Sequence, residues 1–154
     1  PGLDRFHTIT VDSPAVFLPV TVAHELAHQR GVAAEQEGNF VGVMAATAGG
    51  NAAYQYSGWL FGYLHLSNAL YSADPDLARA SYAALCAEAQ ADMADNNAYW
   101  KQWEGPVKET GEKVYTAFLQ GYGQELGMRS YGACVDLLVE EFLPYTTTGG
   151  LTAE

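Results

Sequence analysis

The sequence predicts a mainly α, single-domain helical bundle, and three observations carry that expectation. At 154 residues the chain is the size of one domain with a hydrophobic core of its own. Hydrophobic residues make up 49% and charged residues 16%, a globular balance rather than a disordered one. From about residue 19 onward, apolar residues recur at helical spacing between Gly, Pro, Asn and Asp punctuation. Residues 1–154 read as one unit, without an internal repeat, a low-complexity tract or a dividing linker.

Taken in order, residues 1–12 contain the alternating run RFHTITVD, which reads as a short edge strand or an extended arm. Pro19 suits the first turn of a helix that runs through His24 and His28 and stops at Gly31. A second helix, about 33–48, ends at Gly49–Gly50. The third, about 52–72, is apolar almost all round through Trp59, Leu60, Phe61, Leu64, Leu66 and Leu70, so it should be central. Asp74 and Pro75 read as the N-cap and first position of a fourth helix. A further helical stretch reaches Trp103, and Gly105–Pro106 ends it. The aromatics around Trp100 and Trp103 read as core or helix packing. Val107, Gly111, Val114, Tyr115, Phe118 and Tyr122 mark one more amphipathic helix. Residues 131–143 form the last, and 145–154 read as a flexible tail.

The net charge of −11 argues against nucleic acid and against an anionic membrane surface, since both need basic clusters to neutralise phosphates. Cys86 and Cys134 lack CxxC spacing and read as buried free thiols rather than a disulfide. Residues 38–73 carry no formal charge, a length that raises the question of a membrane span. Gly49–Gly50, Asn51, Gln55, His65 and Asn68 interrupt that run, and the Gly58/Gly62 pair fits close packing in a soluble bundle. The chain starts at Pro1 without a signal peptide and is read as an excised or processed piece.

The chemistry concentrates in TVAHELAHQRG, residues 21–31. Residues four apart on a helix share a face, so His24 and His28 can aim ring nitrogens at one point, as a zinc ion bound at about 2.0–2.1 Å requires. Glu25 stands beside the pair, placed to reach a water on the metal rather than the metal itself. Such a water has its pKa lowered toward about 7, and the Glu25 carboxylate could take its proton and pass it to a leaving amine. Val22, Ala23, Leu26 and Ala27 are uncharged, which suits a buried active-site helix. The bland alternative is a hydrogen-bonded pair of histidines on a helix face.

Two histidines leave a catalytic zinc one protein ligand short. Gly31, three residues after His28, can end the helix in a left-handed cap and turn the chain back toward Glu35 and Glu37. Glu35 shares its helix face with Asn39 and Gly42, a small polar face able to approach the first helix, where Asn39 could hydrogen-bond a ligand. Glu37 aligns with Val41, Met44 and Ala48, the face expected to meet the core. The comparison favours Glu35, with Glu37 as the alternative third ligand. Whichever is not a ligand is a first-turn acid stabilising the helix N-terminus.

TVAHELAHQRG resembles the extended signature of zinc metallopeptidases, with Arg30 where an apolar residue is usual. EQEGNF is similar to the E-x-x-A-[DN] element that supplies the glutamate ligand in integral-membrane proteases of the prenyl-protein and heat-shock types. Gly38 stands where that element has Ala, and the spacer from His28 is shorter here. The match implies the ligand role for Glu35. Across nearly its whole length the chain resembles a bacterial family known as domain of unknown function 3810. TVAHELAHQRG, E-x-E-x-N-F, YSGWLFGYLHLSNALY, YWKQWEGPV and SYGACVDLLVEEF carry that resemblance. It implies an α-rich HExxH domain behind N-terminal transmembrane helices that this chain lacks, one Zn²⁺, and a peptide or protein substrate. It also implies a bacterial cell-membrane location, on the exported side.

His65 lies on the Gly58/Gly62 side of the third helix and could stabilise an oxyanion, though a buried core histidine is the simpler reading. Tyr131, at the start of the last helix, could polarise a substrate carbonyl, or serve only as an amphipathic aromatic there. His7 is uninformative. No Ser, Cys or Lys nucleophile motif and no phosphate-cradling glycine loop appears. The functional expectation is a zinc metallopeptidase. Its rivals are a catalytically silent zinc-binding regulatory or interaction domain, and a zinc hydrolase of a non-peptide amide such as a cell-wall fragment.

Overall fold

A 3-10 turn at Ala15–Phe17 leads into α1 (Leu18–Gln29), followed by α2 (Glu35–Ala48), α3 (Ala52–Ala73), α4 (Pro75–Ala83), α5 (Ala87–Lys101) and α6 (Ser130–Thr147). This computed structural model describes residues 13–102 and 130–147. Among them there is no strand, and the mainly α bundle is as expected. The arm or edge strand expected at 1–12, His7, Trp103 and the helix expected around 107–122 lie outside the described residues.

Local chemistry explains the helix starts. Asn51 Oδ1 accepts hydrogen bonds from the N–H groups of Ala53 and Tyr54 at 2.9 and 3.3 Å, capping α3. Asp74 Oδ1 does the same for Asp76 and Leu77 at 3.1 and 3.0 Å, with Pro75 as the first residue of α4. α1 has no cap of its own beyond Pro19 in its first turn. Instead the buried Ser57 hydroxyl, on α3, accepts the Val20 N–H at 3.1 Å. A bond between two distant segments thus satisfies an otherwise orphaned helix-end donor.

α1 packs against α2 and α3, α6 lies against α2 and α3, and α4 against α3. α1 and α2 run antiparallel, since Gly42 lies beside His24 while Gly38 lies beside both His24 and His28. α2 and α3 are antiparallel too, with Gly58 against Ala46 and Thr47 and Gly62 against Val43. A Cβ on Gly58 would stand 2.9 Å from both Ala46 Cβ and Thr47 Cγ2, so only glycine permits this approach. The core gathers Val20, Val43, Ala46, Leu60, Cys134 and Leu138 from four helices.

Several expectations need correction. α3 is central by its contacts, yet it is not buried all round: Trp59 is 50% exposed and Tyr71 56%. Cys134 is buried but Cys86 is exposed, because it sits in the break between α4 and α5; both thiols are free. Trp100 is 55% exposed, so it is helix-surface packing rather than core; its indole N–H donates to Asn96 Oδ1 at 3.1 Å. α6 runs through Pro144 to Thr147, so residues 145–147 are helical, not tail. Pro144 removes its own N–H donor, yet the helix continues past it to Thr147. Residues 148–154 lie outside the described residues. No described helix is long and apolar enough to cross a membrane.

Candidate metal centre

α1 ends as its sequence requires. Gly31 adopts φ +101°, the one positive φ among the described residues. Its N–H donates to His28 C=O at 3.0 Å, and the Val32 N–H donates to Ala27 C=O at 3.2 Å. That pair of bonds is a Schellman cap, which reverses the chain at the helix end. The reversal has a second consequence. It brings the Val32 carbonyl to 2.7 Å from His28 Nδ1. A carbonyl can only accept, so Nδ1 carries a proton, and Nε2 is the nitrogen left to ligate a metal when the ring is neutral.

Four residues after Gly31, α2 opens at Glu35, whose carboxylate faces the two imidazoles. Glu35 Oε2 lies 3.4 Å from His24 Nε2, and Oε1 lies 3.5 Å from His28 Nε2. The two Nε2 atoms are 2.9 Å apart, with rings crossed at 89°. Ligand atoms of all three residues fall within 4.8 Å of one another, and all three are half-buried. Four-coordinate zinc with bonds of about 2.0–2.2 Å places neighbouring ligand atoms roughly 3.3 Å apart. The two carboxylate distances match that spacing. The two nitrogens need to part by a few tenths of an ångström. Two imidazole nitrogens and a carboxylate oxygen are also a donor set that zinc accepts, so these residues fit the ion.

The carboxyl of Glu35 is held below the usual carboxylate range, first by its hydrogen bond with His24. Burial opposes that shift, while the charges of His24 and His28 and a hydrogen bond with His28 add to it. Glu35 is therefore ready as an anion, as a metal ligand must be.

Close approach of the helices makes this convergence possible. A Cβ on Gly38 would stand 3.0 Å from His24 Cε1 and 3.1 Å from His28 Cε1. A Cβ on Gly42 would stand 3.2 Å from the backbone nitrogen and Cβ of His24. Both glycines are buried, on the face of α2 that also carries Glu35.

Glu37 is exposed and is not among the ligand atoms that converge. Its face does not meet the core as expected: Ala48 is exposed too, and α2 buries Gly38, Gly42, Val43 and Ala46 instead. Asn39 is half-buried one turn beyond Glu35, but no hydrogen bond joins it to either imidazole. The residue that orients His28 is Val32, through its carbonyl; sequence reasoning passed over it, although the Gly31 cap was the signal for it. Glu25 is half-buried on the same turn as the histidines. α1 is less enclosed than expected: Ala23 and Ala27 are buried, while Leu26 is 41% exposed.

His65 is 5% exposed, with its ring edge-on to Phe61 at 4.6 Å. Burial first, and then the charge of His24, push its pKa down to about 4. Tyr131 falls in the first turn of α6, and its side chain lies outside the described residues.

Fold and site together define an α-helical domain with a buried-edge cluster of two histidines and one glutamate suited to a metal ion. Residues 7–139 match the family described as "Protein of unknown function (DUF3810)", and the chain belongs to it. No curated protein and no solved structure matches it.

Proposed function

We propose that the chain is a zinc-dependent metallopeptidase, with His24, His28 and Glu35 holding one Zn²⁺ and Glu25 as its acid–base residue. The observation that carries this reading is the convergence of those three ligand atoms within 4.8 Å, next to Glu25 on the same helical turn. When bound, zinc would supply a Lewis acid and would lower the pKa of a water there toward about 7. The chain's own residues do the rest. Val32 keeps His28 in the tautomer that presents Nε2. Glu25 accepts a proton as water attacks the scissile carbonyl and returns it to the leaving amine nitrogen, work worth roughly 10²–10⁴ in rate.

The substrate class is a peptide or protein, met near a bacterial membrane to which this domain is anchored from the exported side. The anchor and the location rest on the family resemblance. The acidic balance, −11, supports a partner other than nucleic acid.

The test begins with elemental analysis of protein purified without chelator, which should find one zinc per chain. Glu25→Gln should keep that zinc and lose hydrolysis of a mixed peptide library. A wild-type protein that holds zinc but cleaves nothing would leave a silent zinc-binding domain. Turnover confined to cell-wall amides would make it a hydrolase of another substrate class. Absence of zinc, with His28→Ala no different from wild type, would end the reading.

A further inference from the structure

A second cleft lies between α3, α4 and α5. Gly58 and Gly62 set one side of α3 against α2. Tyr63, Leu64 and Asn68 fall on another side, where α4 and α5 join them around a space of about 290 Å³. No residue of α1 or α2 lines it, so it is separate from His24, His28 and Glu35. Its volume is at the small end of the roughly 300–1,000 Å³ that small-molecule sites occupy.

The cleft is apolar where it is buried and polar where it meets water. Ala78 and Met93, each 5% exposed, and the half-buried Leu64 supply the apolar part. Two aromatic walls are tied in place: Ser81 Oγ donates to the Tyr63 hydroxyl at 3.5 Å, and the Tyr82 hydroxyl donates to Gln90 C=O at 3.0 Å. Asn68 on α3 and Asn97 on α5 are exposed, and neither carboxamide has a hydrogen-bond partner among the described residues. Arg79 on α4 pairs only with Asp76, whose side chain is 95% exposed, and a pair so open to water holds the guanidinium weakly.

The charge pattern selects a ligand. The chain has 18 acidic residues against 7 basic ones, yet Arg79 is the one charged residue among those described that line the cleft. A phosphate calls for further cations or a helix N-terminus, and the lining residues of all three helices lie beyond the first turn. One guanidinium suits one carboxylate, gripped through two parallel N–H donors. A carboxylate on a bare hydrocarbon tail would leave both carboxamides unused. A neutral saccharide would leave the guanidinium charge and the apolar part unused. The end of a peptide uses all three, since it joins a carboxylate, an amide that both donates and accepts, and a side chain.

We propose that this cleft binds the C-terminal residue of a peptide. Arg79 takes the terminal carboxylate, Asn68 and Asn97 the last peptide amide, and Leu64, Ala78 and Met93 an apolar side chain. The site stands independently of the zinc centre.

The test titrates an N-acetylated tripeptide ending in leucine into the full chain, as the free acid and as its C-terminal amide, and follows backbone amide signals by NMR. The free acid should move signals of α3, α4 and α5 around the cleft, equally with and without added zinc. The C-terminal amide should bind roughly tenfold more weakly, because it forfeits a charge-assisted pair of hydrogen bonds. Arg79→Gln should lower free-acid affinity by about the same factor and bring it level with the amide, while Asn97→Ala should weaken both probes about threefold to tenfold. Both side chains are exposed, so both variants should melt with wild type.

Equal binding of acid and amide by wild type would overturn the proposal. So would no binding of either at millimolar concentration, or free-acid binding that survives Arg79→Gln unchanged. Shifts confined to α1 and α2 and dependent on zinc would assign the peptide to the metal cluster instead. Shifts in the cleft with an N-acetylglucosamine trimer, and with neither peptide, would make it a saccharide site. A chain that holds no zinc yet discriminates acid from amide would keep this site while the zinc-centre reading fell.

Discussion

Replacing Gly38 by alanine separates stability from metal binding in one substitution. Gly38 lies in the first turns of α2, where alanine is favoured by roughly 0.5–1 kcal/mol as a helix former. Against that gain stands the new Cβ, 3.0 Å from His24 Cε1, 3.1 Å from His28 Cε1 and 3.2 Å from His24 Nδ1. Relieving such contacts to an ordinary separation of about 3.5 Å requires each ring to move by roughly 0.4–0.5 Å. Metal-free imidazoles can swing by that much. Imidazoles ligating zinc cannot, since metal–ligand distances hold to about ±0.2 Å. Gly38→Ala should therefore melt no lower than wild type without metal, while its zinc affinity falls on the order of 10- to 100-fold, or about 1.4–2.7 kcal/mol. Paired measurements of metal-free melting by circular dichroism and zinc affinity by chelator competition supply both numbers. Wild-type zinc affinity in the variant would show that α2 and α1 do not clamp a metal between them. Melting well below wild type would show that the rings have no room to yield even without it.

Gly31→Ala meets no atom within 4 Å, so its cost is backbone strain at φ +101°, roughly 1–2 kcal/mol, and Gly31→Asn should cost less; equal stability of all three in urea unfolding would contradict the cap. Ser57→Ala leaves the buried Val20 N–H without its acceptor and should destabilise by about 1–3 kcal/mol; a change below about 0.5 would mean that water reaches the start of α1. Burial pushes the Cys134 thiol from its ordinary 9.0 up to about 11. Between those values the unfolded thiol sheds a proton that the folded one keeps, so stability falls as pH rises, by an amount on the order of 2–3 kcal/mol. Cys134→Ser should lose that part of the alkaline slope in urea unfolding at pH 8 and 10.5, and an unchanged slope would place the thiol in contact with water.

The helices were legible because their signals are local. Asp74–Pro75 and Gly31 act on backbone groups within a few residues, and each acts where the sequence places it. Exposure was read less well. Trp59 and Tyr71 count as apolar in any periodicity argument, yet they bear polar atoms and stay half outside α3. Cys86 was misread for a different reason: the short break at residues 84–86 separates α4 from α5, and nothing in ASYAALCAEA announces it by Gly or Pro.

For the candidate site, the division between legible and hidden falls at the edge of a single helical turn. His24, Glu25 and His28 are related by helix geometry alone, so their spacing shows the two imidazoles on one face with Glu25 beside them. Glu35 was reachable by one more step, through the cap at Gly31 and the small face of α2. What holds these groups in place was not reachable, because it depends on how far apart two helices sit. Gly38 and Gly42 bring α2 against the rings of α1, and the Gly58 contact with Ala46 and Thr47 draws α3 in behind α2. The same glycines that read as weak helix formers thus set the distance at which a carboxylate on one helix meets two imidazoles on another. A glycine's value here lies in the partner it admits, and that partner is named only by the fold.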